Sequence, residues 1–240
     1  MARYESRSVP ALYYWRRSGM SIERKMNKDV FWTMIDEMRV RFGENMQAAE
    51  KWMIQELKQY DAEDIITYQC IFLCYKDAAD KYGLWSAASV MIPCCTDDGF
   101  NDFRAWLIAQ GENNFYDSLR NPDCLANLKP YGYCRFEGMN YIGVTAYEQL
   151  TGDDLYDKIT SKTIAVHQGE TTGDIIYHPL IEYPLDIEDL EILFPQLCNK
   201  YRRINPSVFN SKGSLWNLNH ARIKNLWEKG KEEVKRFPRK

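Results

Sequence analysis

The densest chemistry in the chain lies between Thr96 and Trp106, which read Thr-Asp-Asp-Gly-Phe-Asn-Asp-Phe-Arg-Ala-Trp. Asp97, Asp98 and Asp102 bring three carboxylates and Arg104 a guanidinium to what reads as a turn entering a helix. Carboxylates at such a turn can hold a cation or exchange protons, and an arginine can grip a carboxylate or phosphate through two parallel hydrogen bonds. On a helix, Asp102 and Trp106 share a face, as do Phe100 and Arg104. A structural reading competes. Thr96 or Asp97 caps the helix, Asp98 favours its positive end, and Arg104 pairs with a carboxylate on a neighbouring helix. Capping and dipole together contribute only about 1–2 kcal/mol, and the acidic density exceeds that need. Asp97, Asp98, Asp102, Arg104 and Trp106 are therefore the expected ligand-binding residues, with no catalytic role assigned among them.

The cysteines form a second constellation. Cys70 and Cys74 are four apart on one helix face, and Cys94 and Cys95 follow in the next segment. If the two segments pack as an antiparallel hairpin, the four sulfurs reach a similar height, and four thiolates can hold zinc. No CxxC spacing is present, and buried free cysteine is common, so core packing is the expectation and no metal or cofactor is assigned. His167, His178 and His220 sit in no metal-binding or triad pattern.

Charge is unevenly placed. Residues 1–28 carry seven Lys/Arg against two Glu, residues 199–240 twelve against three, and the middle twelve against twenty-nine Asp/Glu. An acidic body thus lies between two basic ends. Lys224, Lys229, Lys231, Lys235 and Arg236 flank an apolar stripe of Leu and Trp in the last segment. Such a helix can bind a membrane surface, nucleic acid or a partner groove. It can equally dock on the acidic stretch 148–191, which holds eleven carboxylates against Lys158 and Lys162.

The periodicity that must position these groups is helical. Apolar residues at helical spacing predict helices over about 29–42, 44–59, 62–82 (strongly apolar, hence central), 84–92, 100–110 and 112–120, with another after Asn121-Pro122. Gly83 is expected to end the third. The Gly- and Tyr-rich stretch 131–147 reads as a loop running into a helix that ends near Gly152, with a small hairpin as the alternative. Residues 161–185 carry β-branched pairs between turn residues and are expected to be irregular, with short strands admitted. A helix over 186–202, kinked or split by Pro195, and a last helix over 214–236 complete the chain. The fold class is thus all-α: a multi-helix bundle or array of helical hairpins with an irregular segment in its C-terminal half. The expected organisation is an N-terminal extension (1–26), a helical domain (27–203) and a basic C-terminal helix (204–240).

Composition agrees. The 240 residues are 45% hydrophobic and 14% aromatic, enough for a substantial core. No run approaches the roughly 18–20 apolar residues that span a membrane. Seven cysteines without regular spacing suit a reducing cytoplasm.

Several segments together resemble a bacterial family of domains of unknown function, number 4240 in that series. They are Phe31-Trp32 with Ile35-Asp36, Leu84 to Ala88, Thr96 to Phe100 with Phe103 to Ile108, Asn121-Pro122-Asp123 with Leu125-Ala126, and Ala146-Tyr147-Glu148 with Thr151-Gly152. The resemblance spans about residues 26–203. Pro93-Cys94-Cys95-Thr96 departs from it, since the family usually has Gly-Gly-Cys-Ser there. It implies a bacterial, cytoplasmic, mainly helical domain and no activity. The function expected is a binding or regulatory module that recognises a protein or small ligand through the Asp97–Trp106 cluster. A hydrolase-type enzyme using the same Asp and Arg residues is the alternative. Nucleic-acid binding through the basic C-terminal helix is a weaker one.

Overall fold

The computed structural model describes residues 25–92, 95–128, 134–204, 206–209 and 215–236, with the side chains of the last helix described from 220 to 231. The segment read as an N-terminal extension lies outside the described residues except for Lys25 and Met26. Met26 is buried, and its backbone N–H donates to Asp64 Oδ1 at 2.7 Å.

Side-chain caps start the first helices. Asn27 accepts from Val30 N to open α1 (Lys28–Phe42), and Asn45 accepts from Ala48 N to open α2 (Met46–Leu57). Asp61 does the same for α3 (Ala62–Ala78) through Asp64 N. Ile65, Tyr68, Ile71, Phe72 and Tyr75 are all buried on α3. A helix that is apolar on most sides must be enclosed, and α3 is enclosed: α1 and three later helices, Asp97–Ile108, Ile142–Thr151 and Ser161–Thr172, pack around it.

Gly83 does not end α3. That helix stops at Ala78, and Gly83 lies inside α4 (Tyr82–Met91). The glycine is needed there because the chain at Ile181 presses on it. Gly83 N donates to Ile181 O at 2.8 Å, and a Cβ would sit 2.9 Å from Ile181 Cα. Next come α5 (Asp97–Ile108), α6 (Glu112–Arg120) and a 3-10 turn at Pro122–Asn127 that Asn121 caps. A second 3-10 turn at Glu137–Tyr141 leads into α7 (Ile142–Thr151), which ends on Gly152 in the left-handed region at φ +81°.

The stretch 161–185 departs from expectation. Ser161–Thr172 is a helix, α8, despite Thr163, Ile164 and Val166. A capping box between Thr160 and Thr163 starts it. Ile164, His167 and Thr171, at helical spacing, are among the less exposed positions of a helix that packs along α3. Burial against α3 outweighs the weak β preference of branched residues. No strand occurs among the described residues, and Gly173 to Leu185 is irregular, as expected. Pro195 splits the following helix into α9 (Ile187–Leu193) and α10 (Pro195–Ile204).

The last helix, α11 (Leu215–Arg236), docks on α4. Ile223 is buried, Trp227 meets Tyr183 edge to face at 6.0 Å, and Arg222 reaches Asp97 at 2.6 Å. Lys224, Lys229 and Lys231 stay exposed. No helix among the described residues is long and apolar enough to cross a membrane.

Candidate functional site

Thr96 caps α5 through Gly99 N at 3.2 Å, which puts Asp97 and Asp98 in the first turn. From there the five expected residues diverge. Asp97 bonds Arg222 of α11, and Asp98 is exposed. Trp106 is fully buried beside Phe103, ring centroids 5.3 Å apart, and its indole Nε1 finds no hydrogen-bond partner among the described residues. Only Asp102 and Arg104 point to a common place.

That place is built from three segments. Lys76, the one basic residue of α3, donates from Nζ to Asn140 Oδ1 at 2.6 Å. Asn140 Nδ2 in turn donates to Asp102 Oδ1 at 3.2 Å and to the Glu137 carbonyl at 3.1 Å. The segment before the second 3-10 turn is tied to α5 by Phe136 N, which donates to the Asp102 carbonyl at 3.2 Å. Arg135 enters from the same segment and lies over Gly99, where a Cβ would be only 3.2 Å from its Nη2. Arg104, its side chain 13% exposed, donates from Nη1 to the Lys76 carbonyl at 3.1 Å and pairs with Asp80 at 3.2 Å. Its guanidinium lies 5.1 Å from the Phe100 ring, which stacks on Trp85.

The electrostatics of the cluster are unusual. Burial pushes the Lys76 ammonium down to about 8, and the neighbouring Arg104 charge adds to that, while Asp102 and Asp80 oppose it. Burial raises the Asp102 carboxyl, Glu137 raises it further, and Arg135 pulls it back. Asp102 lies within the fields of Lys76, Arg135 and Glu137, yet none of the four forms an ion pair among the described residues. The buried Nε atoms of Arg104 and Arg135 have no acceptor among them either.

Lys76, Arg135, Glu137 and Asn140 were not among the expected residues. Lys76 carries a readable signal, since it is the single cation of a strongly apolar helix. Arg135, Glu137 and Asn140 carry none, because they reach the site through the irregular chain that precedes α7.

The cysteines separate. Cys70 and Cys74 face α8, with Cys74 Sγ 3.6 Å from the Ile164 carbonyl. Cys95 is buried beside α4, where its carbonyl accepts from Trp85 Nε1 at 2.7 Å. Cys94 lies outside the described residues. No group of three or more His, Cys, Asp or Glu side chains gathers as a metal site would among the described residues.

A family model described as "Protein of unknown function (DUF4240)" matches residues 26–149. The chain belongs to this family. The matched stretch holds every member of the Lys76–Asn140 cluster, whereas α8 to α11 lie beyond it. Neither the curated proteins nor the solved structures yield a match.

Proposed function

We propose that this protein is a binding or regulatory module that seats a small polar ligand at the cluster of Lys76, Asp102, Arg104, Arg135, Glu137 and Asn140. One observation carries the reading: the half-buried Asp102 lies within the fields of the half-buried Lys76 and Arg135 and of the exposed Glu137, and none of the four forms an ion pair among the described residues. Charges drawn partly out of water normally pair, because an unpaired one is costly. A ligand bearing complementary groups supplies the missing partners. The free cysteines support placing the module in a reducing cytoplasm.

The test is thermal unfolding in the presence of acetate, pyruvate, glycine and inorganic phosphate, each alone. At least one should raise the melting temperature of the native chain and fail to raise that of Arg135→Gln and Asp102→Asn. An equal rise in native and variant chains would count against the site.

A hydrolase-type enzyme is the second reading, and one observation favours it. Lys76 Nζ and Asp102 Oδ1 both hydrogen-bond the side chain of Asn140, which gathers an amine whose basicity burial lowers and a carboxyl whose basicity burial raises in one cluster. Turnover of p-nitrophenyl esters or phosphates that disappears in Asp102→Asn would select this reading over simple binding.

A further inference from the structure

The end of α7 and the chain that follows it form an open face. From residue 148 to residue 158 only Leu155 is buried, and a 3-10 turn at Leu155–Asp157 pins the stretch there. Leu150 and Tyr156 are 42% and 59% exposed, and Tyr141, just ahead of α7, is 48% exposed. Tyr141, Glu148 and Asp154 lie within the field of the Tyr156 hydroxyl, so the open rings and the carboxylates share one side of the molecule. Residues 148–158 hold Glu148, Asp153, Asp154 and Asp157 against Lys158, and none of the five forms an ion pair among the described residues. Apolar groups left in water and carboxylates gathered without cations are both relieved by a segment that is aromatic and basic together.

The chain carries such a segment. Residues 9–15 read Val-Pro-Ala-Leu-Tyr-Tyr-Trp, and Arg16-Arg17 follow at once. Residues 1–24, which lie outside the described residues, hold five Arg against two Glu. The residues that continue them are fastened to acidic chain: Lys25 pairs with Asp61 at 2.7 Å, and Met26 N donates to Asp64 at 2.7 Å. The end of α7 is fastened close by, since Lys58 donates to Gln149 Oε1 at 3.1 Å. Only the turn from 58 to 61 separates the two fastenings. Arg17 precedes Lys25 by eight residues, a reach of about 26 Å for extended chain.

We propose that residues 9–17 dock within their own chain on the face formed by Tyr141, Leu150 and Tyr156, with Arg16 and Arg17 supplying the cations for the carboxylates of residues 148–157. The apolar run covers the open rings and Leu150, and the two guanidinium groups that follow it meet the acidic turn. Connection through Lys25 keeps this segment at a high local concentration, which favours it over a separate partner of the same chemistry.

The test treats the full chain with N-acetylimidazole, which acetylates open phenols, and locates the modified tyrosines by peptide mass spectrometry. Tyr183, 48% exposed and set against Trp227 of α11, is the reference. Arg16→Glu with Arg17→Glu should speed acetylation of Tyr141 and Tyr156 about fivefold, the modest hold that a few exposed ion pairs exert, and leave Tyr183 unchanged. Asp153→Lys with Asp154→Lys should do the same. All four changes together should restore the slow rate, which unfolding in either pair could not do. The slow rate of the native chain should persist on dilution. Rates at Tyr141 and Tyr156 that ignore both pairs would overturn the proposal, as would an acceleration that Tyr183 shares. Protection that fades on dilution would give the face to a second copy and overturn docking within one chain.

Discussion

Arg104 donates from Nη1 to the backbone carbonyl of Lys76 at 3.1 Å, so the guanidinium that crowds the Lys76 ammonium also holds the end of α3 in place. Arg104 is therefore architectural as well as electrostatic. Replacing it with Ala removes this bond, the Asp80 contact and the packing on Phe100. The expected loss is about 2 kcal/mol, in the range for a part-buried charged hydrogen-bonding group. Asp98→Ala, at an exposed position in the first turn of α5, should cost only about 0.3–1 kcal/mol. Urea unfolding of the two variants checks the contrast. Equal losses would mean that Arg104 does not tie α5 to α3.

Two glycines should answer substitution with opposite signs. A Cβ on Gly83 meets the Ile181 backbone at 2.9 Å, which cannot swing away as a side chain can. Gly83→Ala should lower stability by roughly 1–3 kcal/mol. Gly169 lies inside α8 with nothing within 4 Å of the added carbon. Gly169→Ala should raise stability by about 0.5–1 kcal/mol, because alanine has less freedom to lose on folding. Chemical unfolding at fixed pH reads both.

Lys28 and its neighbours predict two opposite pH responses. Burial alone would raise the Asp174 carboxyl, but the Lys28 hydrogen bond and charge outweigh it and hold the carboxyl low. Its contribution to stability is then fully present above the ordinary value of about 4. It is lost as pH falls through the lower folded value. Glu112 is the reverse. Burial raises its carboxyl, Lys28 offsets part of this, and Asp36, Asp29 and Asp174 add to the rise. Its ionised form weakens the fold at neutral pH, and that cost is relieved as pH falls through the raised folded value. Asp174→Asn should therefore lower the melting temperature by a few degrees at neutral pH, with the gap closing in acid. Glu112→Gln should raise it at neutral pH, and that gain should also vanish in acid. Melts of both variants across the acid range decide the signs.

The thiols under α8 report on how that helix is fastened. Cys70 and Cys74 are buried between α3 and α8, and burial pushes the Cys74 thiol up to about 11. Two residues past the end of α8, Asp174 bonds Lys28 of α1 and the Tyr116 hydroxyl of α6. Native protein should react slowly with N-ethylmaleimide at both cysteines. Asp174→Asn should speed labelling of Cys70 and Cys74 severalfold and leave Cys95, against α4, unchanged. Uniform acceleration would indicate general loosening instead of release of α8.

Much of this molecule was legible in the order of its residues. The apolar spacing on α1, α2 and α3, the caps at Asp61 and Thr96, and the proline that divides α9 from α10 are local signals, set by helical geometry and by which groups satisfy the free ends of a helix. The aspartates ahead of Trp106 were legible as residues but not as a site. A turn and a helix place successive side chains around a full circle, so Asp97 meets α11, Trp106 enters the core, and only Asp102 and Arg104 converge. Two further matters belong to packing alone. The helix of α8 exists because α3 gives it a surface to cover, against the preference of its own branched residues. The cluster around Lys76 draws on residues 76, 102, 135 and 140, which lie on three separate segments. Sequence spacing carries no record of that meeting, because α3, α5 and the turn before α7 are brought together only by burial of the apolar faces they share.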